Sequence, residues 1–413
     1  MKRKRLQICA LLLAGMLLLT ACASNTASRG GAESFSGAEG SASASAPAEP
    51  SSSAETEPVS AESSAEAEAE AVSAESSTEV EAEPELLATL FFASDYQYKE
   101  GWPQPAETLS SLLDAVSSAG YQLDNAILCG DYTYLKGLSN YETSPEESIA
   151  EIKSIFTAYD PDWDAEDMVF VQGNHDALTE SLNETGLYEY EDYLVYVLDT
   201  QYDFPWKQGA LGLDETVQNA AAEMEACFDE LIADGETRPV IIAGHVPLHY
   251  SGRTSSQQGT GDNLYSSYIF NVVNDAATEL DCIYLFGHNH SKGWDSYMGG
   301  SCVYRAAGDS LLLPAFSEGA VATDTFSVET LNFTYLNAGY LGYFSDSGAA
   351  DTLTCTICEI YEDEIVLTRC SVDGVCELSA DGAANPYSDD TGLISSDYYG
   401  TALSSPQVIA RKS

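Results

Sequence analysis

The middle of the chain alternates short apolar runs with longer amphipathic segments. The runs LLATLFFAS, NAILCGD, DMVFVQGNHD, YLVYVLDT, RPVIIAGHVPL and DCIYLFGHNH have strand length, whereas PAETLSSLLDAVSSAG and SPEESIAEIKSIFTAY have helical periodicity. Short apolar runs bounded by turn residues favour buried strands, and amphipathic periodicity favours helices. Their alternation predicts one α/β domain, which we place at residues 86–380.

The last part of this domain is predicted to consist of strands. The segment TLTCTICEIYEDEIVLTRCS predicts a hairpin whose tight turn joins Tyr361 to Glu364. This register sets Cys355 opposite Cys370, so a cross-strand disulfide is an expectation. A zinc site is the alternative, with weaker support from the spacing. Its ligands would be Cys355, Cys358, Cys370 and Cys376.

The N-terminus has the features of an export signal. A basic start, MKRKR, precedes the apolar run LQICALLLAGMLLL and then LTAC, which ends at Cys22. LTAC resembles the bacterial lipobox, in which the cysteine is lipidated and becomes the mature N-terminus. Residues 1–22 are therefore predicted to be a lipoprotein signal peptide, with an ordinary cleaved signal as the alternative. We expect a protein anchored by lipid to the outer face of the bacterial cytoplasmic membrane.

The two segments that flank the domain are predicted to be poorly ordered. Residues 23–85 are rich in Ala, Ser and Glu and have almost nothing to bury, so they predict a disordered tether. Residues 381–413 are predicted to be a loosely ordered C-terminal tail. The whole chain has a formal net charge of -50, which disfavours a nucleic-acid partner because a polyanion would be repelled.

Metal-binding residue types follow the apolar runs. The chain has only five histidines, and four of them stand where a predicted strand ends. The strand-end residues are Asp95, Asp131, Asn174, His175, Asp176, His245, His288 and His290. The carboxyl ends of strands in an open α/β sheet are where ligands bind. Carboxylate, imidazole and amide groups together suit Mn, Fe, Zn or similar ions, and this many candidates favours two ions over one.

These motifs, in this order, resemble the calcineurin-like metallophosphoesterase family. The resemblance rests on Asp95 and on the motifs GD, GNHD, GH and GHNH, and it covers nearly all of the predicted domain. It implies a four-layer α/β/β/α sandwich of two packed mixed sheets flanked by helices. It also implies a centre of two divalent or mixed-valence transition metal ions at the edge of the sandwich.

The resemblance assigns roles to individual residues. It implies that Asp131 bridges the ions, that Asp95 and His290 bind the first, and that Asn174, His245 and His288 bind the second. Because His288 and His290 would reach different ions, the chain must turn there, and Gly287 is expected to permit the turn. A metal-bound hydroxide would attack phosphorus. His175 would assist the leaving group, with Asp176 orienting its ring.

Some positions depart from the family pattern or stay open. The first motif is usually Asp-x-His, but here Gln97 stands at the histidine, so an ion bound through it would be held more weakly. GDYTY is similar to a motif of purple acid phosphatases, and the similarity implies that Tyr134 ligates ferric iron. The alternative is that Tyr134 packs against a helix. His249 either contacts substrate or caps a local turn, and Arg253 either neutralises a phosphate or pairs with a carboxylate.

Together these observations predict a surface-anchored, metal-dependent hydrolase of phosphate esters. The substrate would be a phosphorylated small molecule or a phosphoester of the cell envelope, and the choice between monoester and diester stays open. The alternative is a binding lipoprotein that keeps the fold but has lost activity through the change at Gln97. Retention of His175 favours the enzyme, because a binding module has no evident need for a proton donor beside a metal centre.

Overall fold

The computed structural model describes the predicted α/β domain and the last residues of the chain. The described residues are 84–98, 104–133, 143–176, 179–198, 213–249, 266–288, 304–314, 326–342, 353–371, 374–375 and 406–412. Cys22 with the signal peptide, the tether up to residue 83, Tyr134, Arg253 and His290 lie outside the described residues. Within these ranges, no helix has the length and apolar composition needed to cross a membrane.

Helices and strands alternate through the first two thirds of the domain. The helices are α1 Pro105–Ser118, α2 Pro145–Tyr159, α3 Leu213–Asp234 and α4 Ser266–Ala276. The strands are β1 Leu86–Ala93, β2 Asn125–Leu128, β3 Val169–Phe170, β4 Gly186–Glu189, β5 Leu194–Val197, β6 Val240–Ala243, β7 Cys282–Phe286, β8 Tyr304–Arg305, β9 Ser310–Pro314, β10 Phe326–Thr330, β11 Thr334–Asn337, β12 Gly339–Tyr340, β13 Thr354–Tyr361, β14 Glu364–Ser371, β15 Gly374–Val375 and β16 Gln407–Ala410.

Local sequence signals explain where α2 begins. The hydroxyl of Ser144 accepts a hydrogen bond from the backbone N–H of Glu147 at 3.2 Å. The backbone N–H of Ser144 donates in return to the Glu147 carboxylate at 3.0 Å. This reciprocal capping box satisfies two backbone donors that the first turn would otherwise leave without acceptors.

The strands form two large mixed sheets and one small one. The larger sheet has the order β15-β14-β13-β1-β2-β3, with β12 paired to β13 and β16 paired to β14. The second sheet has the order β4-β5-β6-β7-β11-β8, and β9 pairs with β10. The strands β1, β2 and β3 run parallel, as do β5, β6 and β7. Each sheet therefore brings several carboxyl strand ends to one edge.

Three apolar clusters define the layers. The side chains of β1 point alternately to the two faces of the larger sheet. Leu90 and Phe92 belong to the cluster between the two sheets, which also contains Ile241 of β6. Phe91 belongs instead to a cluster that packs the larger sheet against α1 and α2. A third cluster packs the other face of the second sheet against α3 and α4. The layer order is helix, sheet, sheet, helix, so the predicted four-layer sandwich is confirmed.

The predicted hairpin is also confirmed, but its cysteines are not cross-linked. Strands β13 and β14 pair with Cys355 opposite Cys370, as the tight turn required. Neither forms a disulfide in the structure, so the expected cross-link is absent. Cys358 packs in the cluster between the sheets, whereas Cys355 and Cys370 face the helices. Because the sheet separates these side chains, the alternative zinc site is wrong.

The end of the chain departs from the predicted loose tail. Strand β16 pairs antiparallel with β14, and its Val408 lies opposite Val366. Beyond it, Arg411 donates to the carbonyl of Tyr361 at 2.7 Å and to that of Thr237 at 2.6 Å. These bonds join the edge of the larger sheet to the loop before β6. The β-branched residues Val408 and Ile409 suit a strand, but this four-residue segment is too short a signal to stand out in the sequence.

Candidate metal centre

Five strand-end loops meet at one edge of the two sheets. Asp95 follows β1, Asp131 follows β2 and Asn174 follows β3, while His245 and His288 follow β6 and β7. Backbone hydrogen bonds tie the loops to one another. The N–H of Asp95 donates to the carbonyl of Gly130 at 2.9 Å, and the N–H of Gly287 donates to that of His245 at 2.8 Å. The strand-end residues of the described chain are thus brought together as the sequence predicts.

One group of side chains surrounds a common point. Asp131, His245 and His288 are buried, and each offers a ligand atom within 4.8 Å of the others. The side-chain amide of Asn174 meets both rings, with one terminal atom 2.9 Å from Nε2 of His245 and 2.9 Å from Nδ1 of His288. Carboxylate oxygen, amide oxygen and imidazole nitrogen are ligands that transition metals accept. The donor set therefore fits a metal ion.

The ring of His245 is oriented for this role. Its Nδ1 lies 2.6 Å from the carbonyl oxygen of Cys129, which can only accept, so Nδ1 carries the proton of this hydrogen bond. In the neutral ring Nε2 then has a lone pair, and it points at Asn174 and lies 3.3 Å from Oδ2 of Asp131. A backbone carbonyl that fixes the tautomer is a common support of metal-binding histidines. The sequence gives no signal of this contact, because the two residues lie 116 positions apart.

A second set of groups adjoins the first. Oδ2 of Asp95 accepts a hydrogen bond from the backbone N–H of His288 at 2.9 Å. The side chain of Gln97 is buried, and its Nε2 donates to Oδ2 of Asp131 at 3.2 Å. The carboxylates of Asp95 and Asp131 are placed so that a second ion between them would lie beside the first. Gln97, a candidate first-site ligand, presents its amide nitrogen to Asp131.

His175 lies at the open side of the centre. Its side chain is 21% exposed, whereas that of Asp131 is 1% exposed. Its ring Nε2 lies 3.9 Å from Oδ2 of Asp131, and its backbone N–H donates to Oδ1 of the same carboxylate at 2.8 Å. A partly exposed imidazole beside the buried carboxylate can reach a bound substrate and exchange a proton with it.

Asp176 has a different role from the predicted one. Its carboxylate accepts hydrogen bonds from the backbone N–H groups of Asp131 at 2.8 Å, Tyr132 at 2.9 Å and Gly173 at 2.8 Å. These bonds clamp the loops after β2 and β3 together. Asp176 therefore positions the ligand-bearing backbone, and the expectation that it orients the His175 ring is replaced by this arrangement.

Replacing Asp176 by alanine should destabilise the fold. Three buried backbone N–H groups would lose their acceptor, and each such loss costs about 1–3 kcal/mol, so we expect a decrease of roughly 3 kcal/mol or more in the free energy of unfolding. Urea unfolding of the metal-free variant measures this decrease. Asp162→Ala is the control, because Asp162 is exposed; an equal decrease in both variants would contradict the clamp.

The buried charges shift the pKa of one another. Burial would raise the pKa of Asp131, but His245 and His175 outweigh it and hold that pKa well below its usual range. Burial lowers the pKa of His245, but Asp131 outweighs it and raises that pKa to about 9. Burial, reinforced by Asp131, raises the pKa of Asp176. The centre thus keeps Asp131 ionised and electrostatically favours a cation beside it.

Backbone strain is concentrated at this centre. Among the described residues, the non-glycine positions with positive φ are Asp95 at 55°, Gln97 at 44°, Asp131 at 58° and His288 at 64°. Such conformations cluster at functional sites, where the surrounding structure offsets their cost. The predicted turn after β7 is therefore made by His288. Gly287 is needed for a different reason, since a Cβ there would lie 1.7 Å from Oγ of Ser94.

His249 belongs to a buried group of polar and aromatic side chains. It is buried, and its Nδ1 lies 2.9 Å from the hydroxyl of Tyr335. Its ring also packs edge-on against Phe286 and Tyr335. The same hydroxyl accepts the backbone N–H of Leu248 at 2.7 Å, so Tyr335 organises the turn after His245. Tyr335 lies on β11, far away in sequence, and the sequence gave no signal of this role.

Residues 89–292 match the family model of the calcineurin-like phosphoesterases. This part of the chain is a calcineurin-like phosphoesterase domain. The resemblance inferred from the motifs is confirmed. The family acts on phosphoesters and generally uses a dimetal centre, which agrees with the donor set described above.

Solved structures with similar architecture are distant in sequence. A dimetal phosphatase from Danio rerio is 10% identical with a TM-score of 0.40, over 71% of this chain and 98% of that one. A purple acid phosphatase from yellow lupin seeds is 12% identical with a TM-score of 0.37, over 69% of this chain and 52% of that one. A predicted phosphoesterase from Streptococcus pneumoniae is 12% identical with a TM-score of 0.29, over 78% and 98%. A search of curated proteins found no match.

Proposed function

We propose that this calcineurin-like phosphoesterase is a surface-anchored hydrolase of phosphate esters that works with two transition metal ions. The observation that carries the proposal is the convergence of Asp131, Asn174, His245 and His288 around one point, with Asp95 on one side and His175 at the opening. A buried ligand set can hold ions that activate water, and the partly exposed imidazole beside it can supply a proton to a leaving group.

The residues divide the work between holding ions and moving a proton. Asn174, His245 and His288 would hold one ion, Asp95 the other, and Asp131 would lie between them. When bound, such ions would polarise the phosphoryl group and lower the pKa of a water molecule. His175 is placed to donate a proton from its ring to the departing alkoxide oxygen. The backbone clamp at Asp176 keeps these loops in register.

The localisation is part of the proposal. The basic N-terminus, the apolar run and LTAC ending at Cys22 support export and lipid anchoring on the outer face of a bacterial cytoplasmic membrane. The Ala-, Ser- and Glu-rich segment over residues 23–85 supports a flexible tether between anchor and domain. The substrate class is then a phosphorylated small molecule or an envelope phosphoester. Labelling with a radioactive fatty acid, lost in Cys22→Ala, tests the anchor.

A second candidate function is a binding lipoprotein without turnover. The contact between the Gln97 amide and Asp131 favours it, because this side chain presents a donor where the family usually has a metal-binding histidine. The placement of His175 favours the enzyme, since ion binding alone does not need a partly exposed imidazole at the opening.

One experiment separates the two functions. The chain without residues 1–22 is freed of metal and assayed with an aryl phosphate monoester and the matching bis-aryl diester, with Mn, Zn, Fe or Mg added singly or in pairs. Metal-dependent turnover supports the hydrolase, and the preferred ester separates phosphatase from phosphodiesterase. A folded protein that binds metal but turns over neither ester with any ion would support the binding lipoprotein.

A further inference from the structure

The backbone of His175 is held on both sides by the loop that follows β2. Its backbone N–H donates to Oδ1 of Asp131 at 2.8 Å. Its backbone carbonyl accepts a hydrogen bond from the hydroxyl of Thr133 at 3.2 Å. Two residues of one loop therefore fix the peptide groups on either side of the ring that the proposed function uses as a proton donor.

Thr133 is itself tied to a neighbouring strand end. It is 0% exposed, and its backbone forms a parallel β-bridge with Tyr98. The N–H of Tyr98 also donates to the carbonyl of Tyr132 at 3.3 Å. The loop after β1 thus supports the loop after β2, and the hydroxyl of Thr133 contacts His175 from this supported segment.

The position of the His175 ring depends on these backbone bonds. Its side chain is 21% exposed, and its Nε2 lies 3.9 Å from Oδ2 of Asp131, too far for a hydrogen bond between them. A proton donor must come within about 2.6–3.2 Å of the atom that receives the proton. The place and direction of the Cα atom set where the ring can reach, and the bonds from Asp131 and Thr133 fix both.

The contact made by Thr133 differs from the clamp made by Asp176. The carboxylate of Asp176 accepts three backbone N–H groups and so joins the two loops. Thr133 binds the carbonyl of His175 itself. Its hydroxyl therefore acts on the placement of one ring.

We propose that Thr133 is a positioning residue for proton donation by His175. This inference rests on the proposed function, in which His175 protonates the departing oxygen. The hydroxyl of Thr133 sets the distance between the ring and the leaving group without contacting the substrate. A misplacement of about 1 Å can lower the rate of a catalysed step by about 100-fold, so a single buried hydroxyl is enough to affect proton transfer.

Thr133→Val is the main test, because valine has the shape of threonine but lacks the hydroxyl. In the chain without residues 1–22, we expect kcat for an alkyl phosphoester to fall by about tenfold, within the loss that a small misplacement causes. The loss with a nitrophenyl ester should be much smaller, because a general acid contributes most when the departing oxygen is basic. The metal content should equal that of the unmodified chain. Steady-state kinetics and metal analysis of the same samples measure these quantities.

Amide hydrogen exchange in the metal-free chain tests the same contact without turnover. The backbone N–H of His175 is protected by its bond to Asp131 and exchanges when the loop opens. Loss of the bond from Thr133 should make this opening easier. We expect the exchange rate of this N–H in Thr133→Val to rise by about 2- to 10-fold, the range that the net free energy of one hydrogen bond gives. NMR measures the rate.

Three further variants act as controls. Thr133→Ser restores the donor, and its kcat and exchange rate should lie close to those of the unmodified chain. Thr157→Val is the matched control, because the exposed Thr157 on α2 also donates from its hydroxyl to a backbone carbonyl, that of Lys153, at 2.8 Å. Its kinetics and the exchange of His175 should not change. Thr133→Ala also lacks the hydroxyl and should show the same losses if the valine variant folds poorly.

Three results would overturn the inference. An equal loss in Thr133→Val and Thr133→Ser would assign the effect to packing. An equal loss with both esters, or a loss of metal, would assign Thr133 to the support of the metal centre. An unchanged exchange rate of His175 or an unchanged kcat for the alkyl ester in Thr133→Val would show that the hydroxyl does not position the ring.

Failure of the proposed function would look different. The unmodified chain would then hydrolyse neither ester, and the role of Thr133 in proton donation would fall together with the hydrolase. Faster exchange of the His175 N–H in Thr133→Val would still support the contact with the backbone.

Discussion

Replacing His175 by alanine is expected to lower kcat for an alkyl phosphoester by about 10²- to 10⁴-fold, the usual contribution of a general acid. The ring lies at the opening of the centre, with Nε2 3.9 Å from Oδ2 of Asp131, and its side chain is partly exposed. Because it does not belong to the buried ligand group, the metal content of the variant should stay unchanged. Steady-state kinetics together with metal analysis of the purified variant measure both quantities.

The leaving group supplies the decisive control for His175. A general acid contributes most when the departing alkoxide is basic, so the loss should be much smaller with a nitrophenyl ester than with an alkyl ester. His175→Gln can still donate a hydrogen bond but is a poor proton donor, and it should behave like the alanine variant with the alkyl ester. An equal loss with both esters, accompanied by lost metal, would mean that His175 supports the metal centre instead.

The parts of this structure that the sequence predicts are those set by local pattern. Apolar runs of strand length give β1, β2, β6 and β7, and the residue after each run belongs to the centre because parallel strands end at one edge. The hairpin register between Cys355 and Cys370 follows from a tight turn alone. These features depend on residues that are close in sequence or on the periodicity of apolar residues, so a single sequence is enough to predict them.

The parts that sequence analysis missed depend on contacts between distant loops. Asp176 is next to His175 in sequence, which suggested a paired role, but three backbone N–H groups from two loops compete for its carboxylate and hold it. The role of Gln97 as a ligand was left open by the sequence, and in the fold its side-chain amide donates to the carboxylate of Asp131. Residue types alone do not reveal which partner lies within hydrogen-bond distance.

The turn after β7 shows the same limit. Glycine is the usual residue for positive φ, so Gly287 was expected to make the turn. In the structure His288 takes the strained conformation, and Gly287 serves the close approach of Ser94. A bond from the backbone N–H of His288 to Asp95 holds that conformation. Strain of this kind is stabilised by long-range contacts and leaves no local signature.

Replacing Asp131 by asparagine should disable the whole centre. Asp131 lies against both groups of ligands, since Oδ2 is 3.3 Å from Nε2 of His245 and also accepts from Gln97. Asparagine has the same shape but no charge, so we expect the affinity for the ion beside His245 and His288 to fall by at least about 100-fold, more than the 10- to 100-fold typical of residues outside the ligand shell. Turnover should fall below detection at any metal concentration that the unmodified chain needs. Metal titration and hydrolysis assays check the two effects separately.

The charge of Asp131 also makes a spectroscopic prediction that does not require turnover. In the metal-free protein Asp131 raises the pKa of His245 to about 9 even though burial lowers it. Without the carboxylate, burial is opposed less, so the pKa of His245 should fall in Asp131→Asn. A histidine pKa raised from 6.5 to about 9 adds stability that is full below pH 6.5 and is lost as the pH rises through about 9, so the variant should lose this stability at pH values below about 9. NMR titration of the imidazole checks the direction, and an unchanged pKa of His245 would show that Asp131 does not control this ring.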